Sequence, residues 1–243
     1  MLRRITFGAV CCATLLSAHF SWINPLSSPL DAGAEVQVQI AHGHAFPESE
    51  EMFRPEGIKA YVLGPGGMQT ELKPQQGARK LLASFKVPRE GHYRFVFIQD
   101  RGILSRTPKG LLPGGRDAHP DALASARYYR SGVAWAATAN APKGQRAAAG
   151  LEFEMVAEAS GGGLKLTVLH NGQPCADAEV ISKREGRAEE KLGRTGADGS
   201  IVLPLAGGLR PPLLLEASKS APAPAGASYE KLNLSTSLYL GSL

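Results

Sequence analysis

Ala34-Glu35-Val36-Gln37-Val38-Gln39-Ile40 is the stretch that decides the fold class. Val36, Val38 and Ile40 fall on one side and Glu35, Gln37 and Gln39 on the other, the period of two that a half-buried strand requires. Working outward, Lys59–Leu63 reads as a second short strand closed by the turn Gly64-Pro65-Gly66-Gly67. Leu81–Val87 and His92–Ile98 read as two more, joined by a hairpin turn at Pro88-Arg89-Glu90-Gly91. These pieces predict a first β-sandwich over His19–Gln99. Asp100–Asp121 shows no periodicity and predicts a long loop, with a helical turn near Ala122–Arg127. Tyr128–Thr138 and Leu151–Val156 read as strands again, with the Ala-rich stretch 139–150 as a loop.

Gly161-Gly162-Gly163 predicts a joint between two units. Beyond it come strands at Leu164–Leu169, Ala178–Ser182, Ser200–Leu205, Leu213–Ser218 and Leu234–Leu240. Turn chemistry separates several of them, in Asn171-Gly172 and in Thr195-Gly196-Ala197-Asp198-Gly199. Lys219–Ala227 reads as a loop. The expected architecture is all-β, with two β-sandwich domains of immunoglobulin or transthyretin-like type: residues 19–160 carrying a long loop insertion, and 161–243.

The N-terminus predicts export. Arg3 and Arg4 precede the uncharged run Ile5–Leu16, and Ser17-Ala18 supplies small residues for cleavage. This is the three-part pattern of a secretory signal over residues 1–18, with a periplasmic or secreted destination. The run is too short for a membrane span. Removing residues 1–18 takes two arginines from the 27 basic residues and leaves 25 against 22 acidic, a net charge of +3. Without a Lys/Arg cluster interleaved with aromatics, nucleic acid is not an expected partner. Cys11 and Cys12 lie in the signal, so Cys175 stands alone in the processed chain and makes no internal disulfide. It reads as a small apolar residue beside Pro174.

No GxSxG elbow, phosphate loop or HExxH motif is present, and no enzyme is expected. The histidines are more informative. Cleavage after Ala18 leaves His19 as the first residue, where its α-amine and imidazole can chelate one metal ion through two nitrogens. His42 and His44 form a His-Gly-His pair at the end of the Val36–Ile40 strand. Residues two apart share a strand face, so both imidazoles are expected to continue the row of Val36, Val38 and Ile40. Imidazole suits nickel, cobalt, copper and zinc. The blander reading makes His42 and His44 a polar strand end packed on Phe46 and Pro47. His92, His119 and His170 read as surface residues, with His119 the best candidate for an extra ligand.

The opening His19-Phe20-Ser21-Trp22-Ile23, followed by a strand running into Gly43-His44-Ala45-Phe46-Pro47, resembles the periplasmic nickel-uptake substrate-specific domain family. Its members are also classed as a domain of unknown function, and some accompany nickel or cobalt importers. Leu166-Thr167-Val168-Leu169, Asn171-Gly172-Gln173-Pro174, Ala178-Glu179-Val180 and the turn Thr195–Gly199 extend the resemblance through the second half. It implies a periplasmic protein that binds, and could deliver, Ni(II) or Co(II), with His19, His42 and His44 as ligands and a membrane importer as partner. Two other readings differ in class. One is a structural or interaction module without metal. The other is a copper enzyme, in which an N-terminal histidine and a second histidine hold Cu(II); it needs an axial aromatic and a flat substrate platform, where the sequence does not place Tyr128, Tyr129 or Trp135.

Overall fold

The computed structural model describes residues 20–44, 46–49, 55, 57–141, 147–161, 163–204 and 212–241. They are nearly all β, with no α-helix among them, as the period-two runs require. Three sheets stack. The central one runs in the order β14(Glu190–Arg194), β13(Glu179–Lys183), β16(Leu213–Pro222), β17(Lys231–Leu240), β9(Ala124–Ala137), β7(His92–Thr107), β3(Ile58–Leu63), β4(Gln69–Leu72), with β8(Gly110–Pro113) hairpinned onto β7. One outer sheet is β1(Phe20–Pro25), β2(Glu35–Gly43), β6(Leu81–Lys86), β5(Gln75–Gln76). The other is β10(Phe153–Ser160), β11(Gly163–His170), β12(Gln173–Pro174), with β15(Ser200–Pro204) on the far side of β11.

The outer sheets cover opposite faces of the central one. Alternation in β9 makes this visible. Ala134 and Ala136 join Val36, Val38, Ile40, Phe85, Phe95 and Phe97 in one core. Val133 and Trp135 join Phe153, Leu166, Val168, Leu215 and Leu238 in the other. A third cluster, Phe20, Trp22, Ala41, Phe46, Ile181 and Leu214, seals the N-terminal strands onto the C-terminal half. Each fully buried Phe or Leu contributes roughly 1.5–3 kcal/mol by its removal from water.

The expected joint at 161–163 falls where β10 turns back into β11, the two strands pairing from Phe153↔His170 to Ser160↔Gly163. The two halves are also joined through the central sheet. Strand β17 lies parallel to β9 from Lys231↔Ala126 to Leu240↔Trp135 and antiparallel to β16.

Three expectations are corrected. The stretch 100–121 is not a long loop. Strand β7 continues to Thr107, and a bulge between Asp100 and Gly102 breaks its alternation while leaving the ladder to β9 intact. The helical turn at 122–127 is replaced by the start of β9. Pro88–Gly91 is not a hairpin turn, because β6 pairs with β2 and β5 while β7 pairs with β3 and β9. It carries the chain from one sheet to another, anchored where the Val87 amide donates to the Ala34 carbonyl at 2.9 Å. By contrast, Asn171 (φ 52°) and Gly172 (φ 74°) form the two-residue hairpin turn their sequence predicts between β11 and β12.

Gly132 of β9 lies against its neighbours in β7 and β17. A Cβ there would meet the Phe97 ring and the Ser237 hydroxyl. Gly132→Ala is expected to lower unfolding free energy by about 1–3 kcal/mol, the usual cost of overpacking, read from urea denaturation.

Candidate functional site

Strand β2 positions the first histidine. Val36, Val38 and Ile40 are buried on one face, and His42 follows in the same row opposite Ser21 of β1. Ser21 Oγ lies 2.8 Å from His42 Nδ1. Arg130, on β9 of the central sheet, donates from Nη1 to Ser21 Oγ at 3.0 Å and lies 3.5 Å from His42 Nδ1. The His42 backbone is pinned in turn by Ser49, whose Oγ accepts from the His42 amide at 3.2 Å and reaches the Arg79 carbonyl at 2.6 Å. A serine, a histidine and an arginine from three strands thus meet at the end of the apolar row.

His44 does not continue that row. The ladder ends at Phe20↔Gly43, so His44 lies one residue past it. Its backbone carbonyl accepts from Lys183 Nζ of β13. Lys183 is only 6% exposed, and its ammonium lies 3.7 Å over the Phe20 ring and 4.0 Å from Glu189. His19 lies outside the described residues, as does the whole predicted signal. Its covalent neighbour Phe20 faces Gly43, the residue between the two histidines. Among the described residues, no group of three or more His, Cys, Asp and Glu is placed to hold a metal.

The other expected residues lie apart from this point. His119 Nε2 lies 2.9 Å from the Pro113 carbonyl at the β8 turn, and the His170 ring packs on Phe153. Tyr129 and Trp135 belong to the core on the opposite face of β9 from Arg130, which leaves Tyr128 as the aromatic on the Arg130 face. Cys175 is 9% exposed within the same core as Trp135, and burial pushes its thiol pKa up, as its apolar reading requires.

Arg130 also lines a cavity of about 400 Å³ over strands β7, β9, β17 and β16 of the central sheet. Its walls include Arg101, Tyr128, Glu216, Ser218, Asn233 and Ser235. Glu216 is 5% exposed, and burial pushes its carboxyl up to about 8 against the partial relief given by Arg130. Burial also lowers Arg130 below the ordinary guanidinium value. Sequence reasoning missed both residues. The available signal was a lone charge inside an apolar strand run, as in Leu213-Leu214-Leu215-Glu216-Ala217.

The family model of a domain of unknown function, DUF4198, matches residues 16–208. No curated protein matches the chain.

Proposed function

The chain belongs to the DUF4198 family, and from that premise we propose that it is an exported transition-metal binding protein that uses His19, His42 and His44 to hold Ni(II) or Co(II). The observation that carries this reading is the β1–β2 register. A nitrogen-rich site needs the processed N-terminus beside the His-Gly-His pair, and Phe20 faces Gly43. Four nitrogens, two from His19 and one from each imidazole, also suit Cu(II). The natural role would be metal uptake or buffering in the periplasm beside a membrane nickel or cobalt importer.

Chemistry at His42 follows from its partners. To bind metal through Nε2, the ring must carry its remaining proton on Nδ1. Ser21 Oγ, already accepting from Arg130, can accept that proton with its second lone pair. Ser21→Ala is therefore expected to weaken metal binding about 10-fold, the scale of losing a ligand's outer hydrogen bond. A titration of the processed protein with Ni(II), Co(II) and Cu(II), its start at His19 confirmed by mass spectrometry, tests the whole reading. His42→Ala and His44→Ala should each weaken binding about 10-fold to 1,000-fold, at ~1.4 kcal/mol per decade.

The Ser21–His42–Arg130 network also favours a second reading, in which His42 serves only to tie the N-terminal strands to the central sheet. Equal and weak uptake of all three ions by the parent and by the variant with His19, His42 and His44 all changed to Ala would leave the non-catalytic structural or interaction module standing.

A further inference from the structure

The cavity beside Arg130 has a built arrangement of charge. Its floor is β17, which presents the small polar side chains Asn233 and Ser235. The strands on either side raise longer side chains, Arg130 from β9 and Glu216 from β16. With neighbouring strands ~4.8 Å apart, these two walls stand about 10 Å apart at the backbone. The serines and asparagine between them leave the space that larger residues would fill.

The charges differ in whether they are answered. Lys219 is committed to Asp177 at 3.0 Å, and Glu179 pairs with Lys191 at 3.2 Å. Arg130 donates to Ser21 and lies against His42, both neutral, and feels the Glu216 carboxyl only across the trough, without a hydrogen bond to it among the described residues. Arg101, exposed at the rim, has no ion pair among the described residues. Glu216 is the telling case: it is more than nine-tenths buried, lines the cavity, and has Arg130 and Lys183 acting on it as charges but no hydrogen bond to either among the described residues. A buried carboxyl in that state is costly unless something donates to it.

We propose that this trough binds a small molecule carrying both a carboxylate and a protonated amine, a free amino acid or a dipeptide, with the carboxylate on Arg130 and Arg101 and the ammonium on Glu216. Paired guanidiniums match a carboxylate's two oxygens, and Glu216, which burial keeps protonated while the trough is empty, gives up its proton to accept from the ammonium as a charge-assisted hydrogen bond. The polar floor offers further donors and acceptors, and the cavity volume suits a ligand of this size. The proposal uses no metal and none of the three histidines as a contact.

Calorimetry on the processed protein in excess EDTA, with each standard L-amino acid and diglycine titrated singly to millimolar concentration, tests it. EDTA makes the outcome independent of the metal site. At least one of these compounds is expected to bind, and its N-acetylated and carboxamide forms should each bind about 10-fold or more weakly. Glu216→Gln should weaken binding about 10-fold. Arg101→Ala, a rim substitution that leaves the buried walls intact, should weaken it about 3-fold to 10-fold. If no amino acid or diglycine binds, the proposal is wrong. It is equally wrong if the N-acetylated ligand binds as well as its parent, or if the folded Arg101→Ala and Glu216→Gln variants both bind undiminished.

Discussion

Trp22→Ala is expected to lower the unfolding free energy by about 3–5 kcal/mol, the range for deleting a fully buried large aromatic. Trp22 is 0% exposed and meets the Phe46 ring edge-on, centroids 5.5 Å apart. Around it stand Phe20 and Ala41 from the N-terminal strands, and Ile181 and Leu214 from β13 and β16. The cavity would open where the two halves join. A single cooperative urea transition is therefore expected, shifted to lower midpoint with unchanged slope. Trp22 Nε1 has no hydrogen-bond partner among the described residues. Trp22→Phe should for that reason cost far less, because it trades a smaller void for the loss of an unpaired buried donor. Equal losses for Ala and Phe would show that the indole's packing is not what the site depends on.

The second large effect concerns pH. The Glu216 carboxyl titrates near 4.5 when unfolded and near 8 when folded, burial being the main cause. Facing it, Arg130 and Lys183 pull the value down and Glu189 pushes it up. Between those values the native state holds the proton that the unfolded chain releases. The contribution is fully present below about 4.5 and is lost as pH rises through about 8. Each pH unit between the two values is worth about 1.36 kcal/mol, so the ceiling on that loss is ~5 kcal/mol. Glu216→Gln does not titrate, so the variant should gain on the parent steadily between about pH 5 and pH 8 and level off above that. The exposed carboxylates Asp177, Asp198 and Glu230 are all held below their ordinary values and act at the acid end, outside this window. Parallel pH profiles for parent and variant would remove Glu216 as the source.

Much of the fold was legible because most strands are half buried and so alternate. Strand β2 shows it, and so does His42, which extends its row. Phe20–Pro25 hides for the opposite reason. All six residues of β1 are buried, so the sequence there carries no alternation to read. The bulge at 100–102 concealed the second half of β7 by shifting the phase of its alternation. At the site, the two-residue spacing puts His44 one position too far into the strand, because nothing local marks where pairing with β1 stops. Arg130 and Glu216 come together only through the β9–β17–β16 pairing, which joins segments far apart in the chain. No local pattern reports such a meeting.

That same pairing governs the order in which the molecule can be made. Ser131 Oγ, which donates to the Phe153 carbonyl, accepts from Thr236 Oγ1 at 3.0 Å across 105 residues of sequence, beside the parallel β9–β17 ladder. The strand at the middle of the central sheet is thus the last of the described strands to be synthesised. Until it arrives, β9 and β16 each present an open edge, and the barrier to closing so long a loop falls late. Folding is expected to be slow and to wait for β17. For the exported protein proposed above, such a delay is useful: the chain stays threadable until that strand is through.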